Sequence, residues 1–407
     1  MQGAEICPNL RHLRILETIV RLRTVTRAAS ELGVSQPAAS QAVRNLERRF
    51  NAELLLRGSN GAAPTEAGAL LASRTERAFA HLESGLSEAA RSGARRATLS
   101  LLTNTQLRAL AAVSRHGSFA AAARAEALCL PALNRATREL EEVVGAQLFE
   151  KTSFGVRATR AGENLARRAG LFFAEIGQAA SEISTLQGRS VGETVIGAMP
   201  LARGSFLPVA LAGIEPARMG RVRLIEGAYE ALLSGMLRGE IDFLVGALRP
   251  EAHRELVQEH LLDDPLSILM RADHPLTRKR KLARSDLAVY PWIAPRRSTP
   301  LDIQFRDLVG SLPSAQSGAI ECNSLSAARV LLLQSDRLML LSDAQTVYER
   351  QSGLLTSRPH PRGRITRPIG FSFRRDWRPT PTQAFIVEQI RAAAKAAERP
   401  RRLPPAS

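Results

Sequence analysis

Four side chains between Thr26 and Leu46 stand out for what they can bond: Gln36, Ser40, Gln41 and Arg44. A carboxamide can meet the edge of adenine with two hydrogen bonds, and a guanidinium can do the same at guanine or hold a phosphate. Helical periodicity turns Val43 and Leu46 inward and leaves these four on the opposite side. Ser35 can cap that predicted helix, and Pro37 falls in its first turn, where a missing N–H costs nothing. A second group lies at Arg296-Arg-Ser-Thr-Pro300. Two guanidinium groups there precede a predicted helix that Thr299 can cap, with Pro300 as its first residue. Either the pair holds a carboxylate, or Thr299 only caps the helix and both arginines lie in solvent.

The first group needs helices around it. Leu13, Leu16, Ile19 and Val20 make one helical face, Thr26 to Leu32 a short second helix whose Ala28 and Ala29 permit close approach, and Gly33 the turn. The run from Arg57 to Pro64 reads as a tight turn between short extended segments, with Arg57 at its base. A helix laid in the major groove beside a phosphate-gripping wing fits this pattern. A plain three-helix bundle with a surface hairpin fits it too.

Residues 12–68 align without a gap on residues 106–162, a constant offset of 94 positions. Identical pairs include Leu16/Leu110, Ala28/Ala122, Pro37/Pro131, Arg44/Arg138, Glu47/Glu141, Thr65/Thr159 and Gly68/Gly162. The expectation is one duplicated unit. The copies differ where chemistry matters: Cys129-Leu130-Pro131 and Asn134 stand in for Ser35-Gln36-Pro37 and Ser40, and Glu126 replaces Leu32 at an expected core position. The second copy keeps Arg135, Arg138, Lys151, Arg157 and Arg160 for phosphate. Base reading is therefore assigned to the first copy, and positioning or pairing to the second.

A long helix is predicted after each copy, 65 to about 91 and 159 to about 187. Leu165, Ala169, Phe172, Ile176, Ala179, Ile183 and Leu186 recur four and three apart, as in a two-helix seam. Ala72, Thr75, Phe79, Leu82, Leu86 and Ala89 form the weaker counterpart. The two helices can pair within one chain or between chains, or each can pack on its own unit. Beyond residue 190 strands alternate with helices, at Glu193–Met199, Arg221–Glu226, Asp242–Leu248, Leu266–Arg271, Trp292–Pro295, Gly318–Cys322 and Leu338–Ser342, which argues for an α/β domain. Ligands in such domains settle where strands end and helices begin. The candidate lining is Pro200, Leu201, Ala202, Gly227, Ala228, Pro295, Arg296, Ser298, Thr299, Asn323 and Ser324.

The chain of 407 residues has room for two or three cores, and its formal charge of +17 favours polyanionic partners. Cys7, Cys129 and Cys322 form no C-x-x-C pair, which points to reduced thiols in a cytoplasm, with Cys322 expected to be buried. No basic-then-apolar leader and no membrane-length apolar run is present. An exported solute-binding protein is therefore not the expectation. His12, His81, His116, His253, His260, His274 and His360 lack metal-ligand spacing, and no clustered acid, base or nucleophile suggests an enzyme. No cofactor is expected.

The stretch Thr26-Arg-Ala-Ala-Ser-Glu-Leu-Gly-Val-Ser-Gln-Pro-Ala-Ala-Ser40, with Leu46-Glu47 and Thr65-Glu-Ala-Gly68, resembles the N-terminal motif of LysR-type transcriptional regulators. The second copy is similar through Gly117-Ser-Phe119, Leu140-Glu141 and Leu148-Phe-Glu-Lys-Thr152. Gly197-Ala-Met-Pro-Leu-Ala202, Arg238-Gly-Glu-Ile-Asp242 and His274-Pro-Leu276 resemble landmarks of that family's effector domain. Ordinary members carry one helix-turn-helix unit, so the tandem departs from the pattern.

The resemblance implies a multidomain fold: two all-α-rich winged helix-turn-helix domains with linker helices, then an α/β two-lobed, periplasmic-binding-protein-like domain. The expected bounds are 8–64 and 102–158 for the winged units, and 65–92 and 159–188 for the linker helices. The effector domain is expected at 191–398, with lobe I at 191–269 plus 370–398 and lobe II at 270–369; a loose tail follows at 399–407. The implied partners are promoter DNA, RNA polymerase, further copies of the chain, and a small effector. Carboxylates, sugar acids and aromatic acids come into question for the effector, since Gly246-Ala-Leu-Arg249 resembles regulators of sugar or aromatic-acid catabolism. An architectural DNA-binding protein without effector response is the rival reading.

Overall fold

The structure is a computed structural model that describes residues 7–58, 61–91, 99–153, 155–189, 192–199, 206–309, 312 and 318–398. The chain begins with helices α1 (Leu10–Leu22), α2 (Val25–Glu31) and α3 (Gln36–Phe50), a hairpin of β1 (Leu55–Gly58) and β2 (Gly61–Pro64), and the long α4 (Glu66–Arg91). The order then recurs as α5 (Asn104–His116), α6 (Phe119–Ala125), α7 (Leu130–Val144), β3 (Phe149–Thr152), β4 (Gly155–Ala158) and α8 (Arg160–Leu186).

Small local bonds recur at the same offset. Glu47 accepts from the Leu54 amide at 3.1 Å and Glu141 from the Leu148 amide at 2.7 Å. Thr65 donates to the Glu53 carbonyl and accepts from Gly68 N; Thr159 does the same with Gln147 and Gly162. Each threonine thus ties the start of a long helix to the loop before its hairpin. The glycine follows from that closeness: a Cβ at Gly68 would sit 1.9 Å from the Leu54 carbonyl oxygen, and at Gly162 2.0 Å from that of Leu148. Gly68→Ala is expected to lower the stability of this region by about 1–3 kcal/mol, the usual cost of overpacking. An unchanged urea midpoint would show that the loop yields freely.

The seam residues of both long helices are buried against each other, except Leu186, which is 46% exposed. Phe79 and Phe172 meet with ring centroids 5.9 Å apart. Pairing is therefore within the chain, and one apolar core runs through both N-terminal units. Position 126 lies at the edge of this core. Leu32 is half-buried, and half-buried Glu126 is held by Arg115 at 3.0 Å, so the carboxylate is compensated.

The C-terminal half comprises β5 (Glu193–Ala198), α9 (Phe206–Ala212), β6 (Arg221–Glu226), α10 (Tyr229–Leu237), β7 (Phe243–Ala247), β8 (Leu256–Arg271), β9 (Trp292–Ala294), α11 (Pro300–Val309), β10 (Ile320–Glu321), α12 (Leu325–Leu333), β11 (Leu338–Ser342), β12 (Leu355–Pro359), β13 (Thr366–Arg374) and α13 (Pro381–Glu398). The strand order is β10-β9-β11-β8-β13-β7-β5-β6, with β12 also on β8. Neighbours β5, β6 and β7 are parallel, whereas β8 and β13 run antiparallel to their neighbours. Separate apolar clusters flank the β5–β7 half and the β9–β11 half.

The first part of β8 pairs with β13, and its last part, from Leu266, with β11 and β12. The chain thus changes halves near 263–265 and returns near 366–368, several residues before each expected lobe boundary. Sequence reading missed the first ten residues of β8 and all of β12 and β13. Helix α13 packs on the β5–β7 half. The expected tail at 399–407 lies outside the described residues.

Candidate nucleic-acid interface and ligand cleft

Helix α3 is seated by Ala39, Val43 and Leu46, all buried, which fixes its outer face. Ser35 caps it, accepting from the Ala38 amide at 3.3 Å, and Pro37 lies in the first turn. Gln36, Gln41 and Arg44 are exposed and Ser40 half-buried on the outer side. Gln41 accepts from Arg44 at 3.0 and 2.7 Å and donates to Asn45 at 3.0 Å, so the row is pre-ordered along the helix. These are donors and acceptors of the kind that meet base edges. Arg57 belongs to β1, but its side chain and the hairpin turn at 59–60 lie outside the described residues.

In the second unit Cys129 precedes α7 without a side-chain cap bond. Leu130 is 41% exposed where the first unit has Gln36. Asn134 spends its amide on the Leu130 carbonyl at 3.0 Å. Arg135 is paired with Glu139, whereas Arg138 and Lys151 are exposed.

The second site is a cleft of about 760 Å³ between the two halves of the C-terminal sheet. It brings together Gly227, Ala228, Pro295, Arg296, Ser298, Thr299, Asn323 and Ser324 from the expected lining. Pro200, Leu201 and Ala202 lie outside the described residues. Three helices point their N-termini at it: α10, with no side-chain cap, α11, capped by Thr299, and α12, capped by Ser324. Their first N–H groups give the cleft a positive lining. Ser298 adopts a left-handed conformation, φ 61°, and donates its amide to Asp302 at 3.0 Å, which locks the turn before α11.

Arg296 and Arg297 sit exposed at the rim. The inner cation is one that sequence reading missed as a site residue. Arg249 lies with its guanidinium 4.4 Å from the Tyr229 ring centroid and reaches the Ser298 carbonyl across the cleft at 3.4 Å. Its buried Nε and the buried Tyr229 hydroxyl have no hydrogen-bond partner among the described residues. Burial raises the Tyr229 phenol above its ordinary range against the opposing effect of Arg249. Arg367 also lines the cleft, but Asp264 holds it at 2.8 and 3.0 Å and Gln345 at 3.0 Å. The advance signals for Arg249 were its place just after an expected strand and the resemblance carried by Gly246-Ala-Leu-Arg249. Cys322, expected to be buried, is half-exposed on the cleft wall because β10 is a short edge strand.

The two sites are physically joined. Strand β13 carries Arg367 at the cleft and ends at Arg374, and the turn after it meets α4: Arg378 donates to Ser73 at 2.8 Å, and Arg74 donates to the Arg378 carbonyl at 3.0 Å.

Residues 10–69 and 104–163 each match the bacterial regulatory helix-turn-helix protein, lysR family, and residues 187–395 match the LysR substrate binding domain. The chain belongs to the LysR family. It is a LysR-type DNA-binding transcriptional regulator with a substrate-binding domain, and its relatives are named as regulators rather than enzymes. It is 29% identical over 392 residues to the HTH-type transcriptional regulator GalR of Pseudomonas putida, covering 94% of this chain and 97% of that protein. It is also 29% identical to the PcaQ regulator of Agrobacterium fabrum, over 69% of this chain and 92% of that one. The GalR match thus runs through both N-terminal units of this LysR-type chain. The LysR-type fold is shared with full-length OxyR from Pseudomonas aeruginosa, at a TM-score of 0.52 and 21% identity over 72% of this chain and 94% of that one. ArgP from Mycobacterium tuberculosis gives 0.51 and 19%, over 71% and 96%. No helix among the described residues is long and apolar enough to cross a membrane.

Proposed function

We propose that α3 reads promoter DNA with Gln36, Ser40, Gln41 and Arg44, and that the cleft binds a small carboxylate whose capture shifts the DNA-binding units through β13. The observation that carries the reading is the exposed, pre-ordered amide and guanidinium row on α3, opposite a fully buried face. Arg57, Arg138 and Lys151 would hold phosphates, and Pro37 would let the helix start close to the backbone. The two N-terminal units read as one duplicated winged helix-turn-helix, and the C-terminal region as two lobes of periplasmic-binding-protein type. Self-assembly and contact with RNA polymerase come with the family resemblance.

Arg249, stacked on Tyr229 with a free buried Nε, supports an anionic effector with an apolar or aromatic body; Gly227, Ala228, Asn323 and Ser324 would supply the opposing polar contacts. Arg249→Ala is expected to weaken binding of that effector at least tenfold, since hydrogen bonds to charged groups contribute about 1.5–3 kcal/mol. Calorimetric titration with a panel of aromatic and sugar carboxylates checks this; equal affinity in the variant rules out the clamp. Arg296→Ala together with Arg297→Ala should cost less, because both lie in solvent. Footprinting tests the whole reading: one defined protected region supports a promoter-specific regulator, whereas uniform coverage supports an architectural protein.

A further inference from the structure

The contacts between α4 and α8 are related by an approximate two-fold axis. Arg74 donates to Glu182 at 3.0 Å, and the residues 94 positions away on each side, Arg168 and Glu88, make the reciprocal bond at 3.0 Å. An exchange in which i meets j and j meets i is the mark of two-fold pairing. The two N-terminal units are therefore related to each other as the halves of a symmetric head would be.

The symmetry is broken in two places. Along the seam, Arg74 and Arg77 of α4 both bind Glu175 of α8, while the position equivalent to Glu175 on α4 is His81 and that equivalent to Arg77 on α8 is the buried Leu171. Two copies of α4 would oppose these arginines to a histidine, so the charges select the α4–α8 pair. On the outer faces, α3 exposes Gln36, Gln41, Arg44 and Arg48, whereas α7 presents Leu130, Arg135, Arg138 and Glu142 at those positions. Glu139 occupies the place of Asn45 and neutralises Arg135 at 3.6 Å. The α7 face lacks both glutamines, its one amide at Asn134 is spent on the Leu130 carbonyl, and it carries two carboxylates, which repel phosphate.

We infer that one chain forms a complete but asymmetric head that reads bases on one side of its operator only, the second unit holding the duplex through Lys151 and its hairpin without discriminating sequence. This rests on the reading of α3 given above. It predicts a non-palindromic operator with one base-specific box and a neighbouring backbone footprint about one helical turn away.

Selection of the full-length protein on a randomised duplex library, followed by hydroxyl-radical footprinting of the recovered sequences, tests it. The expected result is a single enriched box in which each substituted base pair weakens binding about tenfold, beside protected but unconstrained sequence. Leu130→Gln with Asn134→Ser and Glu142→Arg, all at solvent-accessible positions, should add a second, inverted box. A palindromic motif from the unaltered protein overturns the asymmetry alone and leaves the reading of α3 standing. No enriched box at all overturns both.

Discussion

Replacing Arg74 by alanine should destabilise the paired long helices by about 3–5 kcal/mol, the range for removing one partner of a buried charge network. Arg74 has a fully buried side chain that donates to Glu182, Glu175, Gln178 and the Arg378 carbonyl, while the two glutamates are 6% and 7% exposed. Without the guanidinium, Glu182 loses the group that holds both its oxygens, and Glu175 keeps Arg77 at 3.0 Å with His81 at 4.0 Å. Chemical denaturation followed by helix signal and by DNA binding checks this, since the head should melt earlier while the C-terminal half keeps its own midpoint. The pseudo-symmetric Arg168→Ala is the control. Its pair with Glu88 is more exposed, at 14% and 20%, and consists of one bond, so a loss nearer about 1 kcal/mol is expected. Equal losses at both sites would refute the claim that the network at Arg74 is the tighter half of the axis.

The double substitution Gln36→Ala with Gln41→Ala should reduce discrimination between promoter and random DNA by about 10²-fold or more, given about 1–3 kcal/mol for each good base contact. Binding to random DNA should change little, because that term comes from phosphate neutralisation. Arg44→Ala separates the two roles. If Arg44 holds a phosphate, the slope of log affinity against log salt falls by about 0.9 and base preference survives; if it reads guanine, preference at one base pair is lost. Competition binding against unrelated duplex at several salt concentrations measures both. Unaltered discrimination in the double variant would remove the reading function from α3.

Much of the head was legible beforehand. The 94-residue offset needs only comparison of the string with itself, and the cap at Ser35, the inward Val43 and Leu46, and the heptad stripes on both long helices depend on neighbours within a few turns. The cleft was legible in outline, because strand ends and capped helix starts can be located from turn chemistry, as at Thr299 and Ser324. Which cation faces the inside of the cleft was not. Arg249 and Arg296 look alike as residues; only the stacking on Tyr229 and the burial of one side distinguish them.

The amino-acid sequence alone thus determined the units, their caps, the helix faces and the residue differences between the two units, since each follows from residue type and short-range spacing. Tertiary structure decided that the two long helices pair inside one chain, that Arg74 is buried between Glu175 and Glu182, and that β8 and β13 carry the chain between halves. Those contacts join residues about a hundred to three hundred positions apart. They are set by which surfaces exclude water together, and no local pattern encodes that choice.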